Sequence, residues 1–487
     1  MKEALDAVNR FVWSFPALIL ILAVGIRLTL RTGWAQVRLF PAAMRTFFAS
    51  FRKTQNTNGV SPFRALCTAL AATVGTGNLA GVGGAIAIGG PGAIFWMWIC
   101  AILGMVTKFA EATLSVRYRI KDGNGNHIGG PMYMAQKGLG HKWYPIAALY
   151  SFFGLVAAFG VGSATQVNAV VGGINSAVRA LGGQGTARND ILIGIALAIL
   201  TVLVLLGGAK RIGSAAAFLV PFASVFYILL CVCVLVIRSQ AVPQAFLSIV
   251  KGAFYPEAVT GGLLGSAFVS LRVGASRGVF TNEAGMGTAG MAHSSAIVSH
   301  PVEQGLMGIV EVFIDTIVIC TMTGLVILCS GIIIPYGQDL GIQITSDAFS
   351  AVFGNWVYVP IAISLCCFAF ATIIGWGLYG IRCAQFLFGE KAWKCFVVFQ
   401  GISVVLGSII GTGTVWALSE TANGLMAIPN LLILTCLTPE LVRLVKEYIS
   451  IYGRHSANGG TYENIKESES MRFVANAEVS SPGGKSS

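Results

Sequence analysis

Residues 71–81 read AATVGTGNLAG and lie inside an apolar run that extends over about 65–88. Each glycine inside a helix costs about 1 kcal/mol relative to alanine, and unwound backbone at membrane depth must find partners or face a water-filled cavity. The stretch therefore predicts either an unwound point in a membrane helix or a face of small residues on which helices pack. At an unwound point, free N–H groups would bind a carboxylate and free carbonyls would bind a cation.

The composition around this stretch is that of an integral membrane protein. Of 487 residues, 55% are hydrophobic and 11% are charged, whereas soluble domains carry roughly 25% charged residues. The net charge of +12 does not indicate nucleic-acid binding, because the basic residues lack the interleaved aromatics of a strand-binding groove. The 11 cysteines lie mostly in apolar runs without zinc-ligand spacing and are predicted to be buried, inert thiols.

Apolar segments of the length needed to span a bilayer recur along the chain. The first is too long for a cleavable signal peptide and lacks a small-residue cleavage site after it, so we expect it to remain as a helix. Eleven spans are predicted, near residues 12–30, 65–88, 92–115, 146–172, 190–207, 213–237, 260–276, 303–330, 357–380, 395–410 and 413–436.

The distribution of Lys and Arg predicts the orientation. The 31–64 connection holds six basic residues and no acid, and basic residues recur in the 116–145 connection, at Lys210 and Arg211, and in a later loop. The 331–356 connection has acids but no Lys or Arg. By the positive-inside rule, we expect the N-terminus outside and the C-terminus in the cytoplasm.

The spans divide into two five-helix halves of similar length. We predict an extra helix and basic loop over 1–64, repeats over 65–237 and 260–436, and an interfacial helix with a disordered cytoplasmic tail over 437–487. The first helix of each half is the one most broken by glycine. Broken helices in corresponding positions are typical of transporters with inverted repeats and a midplane site.

The second broken segment covers residues 272–287 and reads RVGASRGVFTNEAGMG. Ionisable groups at membrane depth are costly and usually paired, so Arg277 with Glu283 is a candidate pair that holds a gate or serves as a structural pair for the loop. An ordinary cytoplasmic loop is the alternative.

Other polar residues interrupt apolar spans. Thr372 offers a hydroxyl suited to a hard cation, or a bond to its own helix. Trp376 could wall a small pocket or pack in the core. Gln166 must be hydrogen-bonded, either to a neighbouring helix or to a substrate.

Two carboxylate pairings are also expected from spacing. Glu311 and Asp315, at i and i+4, form either a relay for protons or cations or a structural pair with Ser, Thr or Lys. Lys108 and Glu111, at i and i+3, are predicted to form a local ion pair.

In these segments the sequence resembles the alanine or glycine:cation symporter family. The resemblance covers about residues 10–440 and implies an all-α, leucine-transporter-type fold of five plus five helices with one added N-terminal helix. It also implies sodium-driven import of a small neutral amino acid, alanine or glycine. The matching stretches are 72–81, 89–98, 104–111, 277–287, 292–293, 368–376, 423–427 and 429–430.

The resemblance also implies roles for individual residues. The substrate would be bound around the break, contacted by Gln166 and enclosed by Trp376, and sodium would lie between two backbone carbonyls and a hydroxyl. The implied substrate residues are Gly75, Thr76, Gly77, Asn78, Gln166 and Trp376, and the implied sodium ligands are Ala71, Val74 and Thr372.

The chain departs from the family pattern at four positions. Ala371 replaces a hydroxyl residue that would be a further cation ligand, and Gly377 replaces a serine, which could widen the pocket. Glu420 stands where an aspartate is usual and Gly290 where a proline is common.

Secondary active symport is thus the favoured function. A channel would need a continuous lined pore, and a nutrient sensor would need a large cytoplasmic domain. The sequence offers no nucleophile–base arrangement, so we do not expect an enzyme, and no cofactor other than the coupling ion is implied. Glutamine, serine or D-alanine as substrate, and protons as coupling ion, remain alternatives.

Overall fold

The computed structural model describes residues 16–52, 59–260, 266–338, 341–410 and 412–457. Almost all of them are helical, since the chain alternates long apolar runs with short connections. The helices up to the first interruption are α1 (Pro16–Thr32), α2 (Ala35–Arg38), α3 (Phe40–Arg52) and α4 (Pro62–Thr73). Ser61 begins α4 by accepting a hydrogen bond from the Arg64 N–H, and Pro62 follows at the first helical position, where a proline costs nothing.

The first broken helix is α4 followed by α5. A wide π turn (Gly77–Gly81) links α4 to α5 (Val82–Gly89), and the two parts are bent by 49°. The rest of this half consists of α6 (Gly92–Arg117), a hairpin of β1 (Ile120–Lys121) with β2 (His127–Ile128), α7 (Pro131–Tyr133), the π turn Met134–Leu139, the 3₁₀ turn His141–Trp143, α8 (Tyr144–Phe159), the π turn Gly160–Ala164, α9 (Thr165–Ala180), α10 (Ala187–Leu205) and α11 (Gly208–Ile237).

The second half also contains a broken helix near its start. Its elements are the 3₁₀ turn Ser239–Ala241, α12 (Val242–Phe254), α13 (Pro256–Thr260), α14 (Ala267–Asn282), α15 (Thr288–His293), α16 (Pro301–Val312), the π turn Phe313–Cys320, α17 (Thr321–Cys329), α18 (Ile342–Phe353), the 3₁₀ turn Asn355–Val357, α19 (Tyr358–Phe388), α20 (Ala392–Gly407) and α21 (Thr412–Ala457). The break between α14 and α15 covers residues 283–287.

Seven continuous helical stretches in the described residues are long and apolar enough to cross a membrane, and the bent α4–α5 pair makes an eighth. The helices α1 (17 residues), α14 (16 residues) and α20 (16 residues) overlap predicted spans but are shorter than the roughly 20 residues that cross a bilayer. The count of eleven spans therefore stays a prediction. Residues 437–457 continue α21 where the sequence predicted a separate interfacial helix, and residues 458–487 of the predicted tail lie outside the described residues.

The packing of the bundle places both breaks in its interior. The long helix α6 lies along α14 and α16, while α19 contacts α4, α9 and α11. The two breaks are thus enclosed by helices from both halves, and most side chains around them are buried.

Candidate functional site

The first break begins where α4 stops at Thr73. Val74 adopts an extended backbone conformation, with φ −78° and ψ 96°. The next N–H, that of Gly75, would continue the helix by donating to the Ala71 carbonyl, but it donates instead to Asn78 Oδ1 at 2.8 Å. The helix therefore releases the Ala71 carbonyl from its usual partner. Of the two interpretations of residues 71–81, the backbone here follows the unwound one.

Side chains from two other helices face this break. A Cβ built on Gly75 would lie 2.6 Å from Thr372 Oγ1 of α19 and 3.7 Å from Gln166 Oε1 of α9. Thr76 donates its hydroxyl to the same Gln166 oxygen at 3.2 Å. The structure thus brings Gly75, Thr76, Gln166 and Thr372 together, although they are far apart in the sequence.

Gln166 is held in place from its other end. Its Nε2 donates to the Val161 carbonyl at 3.1 Å, within the turn where α9 follows a π turn. π turns free backbone groups and recur at functional sites. Since both ends of the amide are hydrogen-bonded, the Gln166 oxygen is fixed beside the break.

Gly77 faces a different neighbour. A Cβ built there would lie 3.5 Å from Thr281 Oγ1 of α14, an ordinary van der Waals distance. Gly77 therefore contacts the second broken helix rather than α9 or α19. Of the two glycines in the break, only Gly75 has no room for a side chain.

Asn78 links the first break to an acidic side chain. Its Nδ2 donates to Asp315 Oδ1 at 2.7 Å and to the Asp315 carbonyl at 3.2 Å, and Thr316 donates its hydroxyl to Asp315 Oδ2 at 2.7 Å. Asp315 is fully buried. The sequence left its role open between a relay and a structural pair; its partners here, a threonine and an asparagine, are those of a structural pair, and the Asn78 contact could not be read from spacing.

The hydroxyl oxygen of Thr372 faces the break, whereas its proton is donated to a carbonyl of the same helix. It donates to the Phe368 carbonyl at 3.0 Å, one turn back along α19. Because the donor is satisfied within the helix, lone pairs of the oxygen remain for a cation. The neighbouring Ala371 is buried and brings no oxygen ligand from its side chain.

The second break is held by a carboxylate from α6. Glu111 Oε1 accepts the N–H groups of Gly285 at 2.9 Å and Gly287 at 3.0 Å, and the amide of Asn430 at 2.8 Å. Gly285 and Gly287 have φ of 94° and 79°, values that only glycine adopts without strain. Glu111 thus satisfies backbone donors that the break would otherwise leave unpaired in the interior of the bundle.

The sequence that forms these two breaks is similar to that of a known transporter family. The sequence profile of the sodium:alanine symporter family matches residues 1–458. The chain belongs to this family.

Relatives within the family carry different substrate names. The sodium/alanine symporter AgcS of Methanococcus maripaludis is 40% identical over 457 residues, which cover 93% of this chain and 98% of that protein. A probable sodium/glutamine symporter, GlnT of Bacillus subtilis, is 36% identical over 452 residues, 92% and 91% of the two chains. The family is one of transporters, and this chain is a multi-pass membrane protein.

Among solved structures, MhsT in complex with L-phenylalanine resembles this symporter family member with a TM-score of 0.57 at 15% identity, covering 79% of this chain and 90% of that one. MhsT has the leucine-transporter-type fold, so the predicted fold class is confirmed.

The predicted pair of Arg277 with Glu283 requires correction. Arg277 lies 3.4 Å from Glu420 Oε1, whereas Glu283 Oε1 accepts from Trp376 Nε1 at 2.8 Å and Oε2 accepts from Thr288 at 2.7 Å. A separation of six residues along a helix puts two side chains on different faces. Glu283 begins the second break with a φ of 54°, so its carboxylate turns into the bundle.

The predicted ion pair of Lys108 with Glu111 is also wrong. Lys108 Nζ lies 2.9 Å from Glu311 Oε1, and His293 Nε2 lies 3.0 Å from Glu311 Oε2, with all three side chains fully buried. Glu111 is instead engaged by the second break. Glu311, which the sequence left between a relay and a structural pair, has a lysine partner.

Trp376 is fully buried one turn after Thr372 on α19. The Trp376 side chain packs against Gly162 in the π turn before α9, and a Cβ at Gly162 would overlap the tryptophan. Together with its bond to Glu283, this contact places the indole between the second break and the π turn before α9. Its predicted effect on substrate size remains a prediction.

Proposed function

We propose that this chain imports a small neutral amino acid, alanine or glycine, together with sodium across a prokaryotic cell membrane. The observation that carries the proposal is the unwound segment at Val74–Thr76, faced by the Thr372 hydroxyl and the Gln166 amide oxygen. Membership in the sodium:alanine symporter family supports the same class of transport.

Sodium would be bound on the α4 side of the break. The carbonyls of Ala71 and Val74 and the hydroxyl of Thr372 are neutral oxygen donors, which suit a hard cation. The Gly75 N–H turns away from Ala71, and the Thr372 proton is satisfied by Phe368. Both facts leave oxygen lone pairs facing the break, so the donor set fits the ion.

The substrate carboxylate would be bound by the N–H groups of residues 75–78. In the present conformation the side chain of Asn78 accepts the Gly75 N–H, so a carboxylate competes with Asn78 for that donor. Gln166 Oε1 lies beside Thr76 and is an acceptor suited to the substrate ammonium group. This arrangement binds the groups that all amino acids share, and it leaves selection to the walls around the side chain.

A small substrate is favoured by the packing around Trp376. The indole is fully buried, and its contact with Gly162 and its hydrogen bond to Glu283 fix the orientation of the ring. A fixed ring limits the room for a long side chain such as that of glutamine, which one relative is named for. Gly377 faces Leu205 and Gln400 on the far side of α19, which argues against a pocket widened by this glycine.

Orientation and location follow the distribution of basic residues, with the N-terminus outside and the C-terminus in the cytoplasm. The sodium gradient and the inside-negative potential would then both drive uptake.

The experiment uses the purified chain in proteoliposomes with labelled alanine, glycine and glutamine. An inward sodium gradient should accelerate alanine or glycine uptake several-fold over potassium, and glutamine uptake should be slower. Thr372→Ser, which keeps the hydroxyl, is the matched control for Thr372→Ala, which should need much more sodium. Equal uptake driven by a proton gradient in the absence of sodium would show that sodium is not the coupling ion. If the internal amino acid concentration never exceeds the external one, the protein is a channel.

A further inference from the structure

A cavity lined by several charged side chains lies on the face that the sequence predicts to be cytoplasmic. It has a volume of about 600 Å³ and is formed by residues 59–60, the β1–β2 hairpin, the turn before α11, residues 295–297 and the later part of α19. These segments coincide with the connections rich in Lys and Arg. None of the residues assigned above to the substrate or sodium lines this cavity.

Arg382 is the buried charge in its wall. The side chain is nearly buried, since the residue is 5% exposed, and Nη1 donates to Gln385 Oε1 at 2.9 Å. Its Nε has no hydrogen-bond partner within the described part of the chain. Buried polar groups are almost always paired, and a guanidinium with donors to spare is suited to a carboxylate or another oxyanion.

The remaining charges of the cavity make it electropositive. Lys121 and Lys210 line it with Arg382, against one acidic residue, Asp122. The Asp122 carboxylate is held in the hairpin, where Oδ1 accepts the N–H groups of Asn124 and Asn126 at 3.0 and 2.8 Å. Its charge offsets only one of the three basic side chains, so the lining keeps a net positive charge.

Nearby positive charges also act on His127, in the β1–β2 hairpin. The pKa of His127 is lowered to about 4 by burial, and also by the nearby charges of Arg119 and Lys121. His127 is therefore neutral at physiological pH, and the positive charge of the cavity comes from Lys121, Lys210 and Arg382.

The cavity is aligned with the first break along one helix. Arg382 follows Thr372 by ten residues on α19, which is about 15 Å along the helix axis. Trp376 lies between the two. At about 100° per residue, the Arg382 side chain leaves α19 about 80° around the axis from Thr372 and about 120° from Trp376. Arg382 therefore lies on the predicted cytoplasmic side of the break, on a different face of α19 from the tryptophan.

We propose that this cavity contains an oxyanion site in which Arg382, aided by Lys121 and Lys210, binds the carboxylate of the transported amino acid between the break and the cytoplasm. This inference rests on the proposed function. Free phosphate has the same chemistry as a ligand, and the experiment separates the two sources.

The test measures alanine transport from each side, in right-side-out and inside-out vesicles. In Arg382→Gln, the KM for alanine at the cytoplasmic side should rise about tenfold, because a charge-assisted hydrogen bond is lost. The KM at the outer side should change less than twofold. Arg382→Lys should recover part of the affinity, and Lys210→Gln should produce a smaller shift in the same direction. Arg211→Gln, an exposed neighbour outside the cavity, is the control.

Equal changes of KM on both sides, or no change, would refute the proposed site. If Arg382→Gln does not fold, the same comparison is made with Arg382→Lys. A second arm adds inorganic phosphate to the purified protein. If phosphate raises the melting temperature of the wild type but not of Arg382→Gln, while the two KM values stay symmetric, the ligand is a free anion and the substrate assignment is wrong. A wild-type protein that transports no amino acid would instead refute the proposed function.

Discussion

Replacing Gly75 with alanine should disturb the sodium site through Thr372. The added Cβ would lie 2.6 Å from Thr372 Oγ1, whereas ordinary contact begins at 3.4 Å. Threonine is β-branched and stiff at χ1, so the hydroxyl cannot move away without leaving its bond to Phe368 or shifting α19. Overpacking of this kind costs about 1–3 kcal/mol. If that cost falls on the sodium-bound state, the sodium concentration for half-maximal uptake rises about 5- to 150-fold.

The same chemical change two residues later is the control. At Gly77 an added Cβ meets Thr281 at 3.5 Å, so Gly77→Ala should fold and keep a nearly normal sodium requirement, whatever its effect on the affinity for alanine. The assay is alanine uptake into proteoliposomes as a function of sodium, with the melting temperature of each purified variant measured in parallel.

A double-mutant cycle identifies the cause. If Gly75→Ala acts through the Thr372 side chain, its effect should be much smaller in a Thr372→Ala background, because contacting residues are not additive. Additive effects, or an equal loss of sodium affinity in Gly77→Ala, would refute the reasoning.

Three further predictions concern the second break and the buried charges. Trp376→Phe should lower stability by about 1–3 kcal/mol, because Glu283 Oε1 loses its donor; an unchanged melting temperature would contradict that bond. Lys108→Met should destabilise by about 3–5 kcal/mol by leaving Glu311 buried without its cation, and adding Glu311→Gln should restore much of the loss in thermal unfolding. Glu111→Gln should reduce transport more than stability if the second break must keep its shape, which paired uptake and melting measurements would detect.

The sequence predicts the first break well because its signal is local. Glycines and an asparagine in an apolar run can be read from propensity alone, and the structure unwinds at Val74–Thr76. The family resemblance adds Gln166 and Thr372, whose proximity to Gly75 depends on how α9 and α19 pack against α4. No periodicity in the sequence encodes that packing.

The buried charges were the least predictable part. The spacing of Lys108 and Glu111 suggested a local pair, but each finds a stronger partner far away in the chain, at Glu311 and at the N–H groups of the second break. In a low-dielectric interior the best-placed partner determines the pairing, and its position is a property of the packed bundle. The failed pairing of Arg277 with Glu283 has the same origin, since both sequence neighbours turn to other helices.

Reciprocal coupling is the most direct test of sodium–amino acid symport. Proteoliposomes containing the purified chain receive equal sodium on both sides and an inward gradient of alanine, with the membrane potential clamped to zero. A symporter must then carry labelled sodium inward against its own rising gradient, and the account predicts a transient internal excess of sodium that Thr372→Ala abolishes and Thr372→Ser retains. Alanine entry with no net movement of sodium would contradict the central claim.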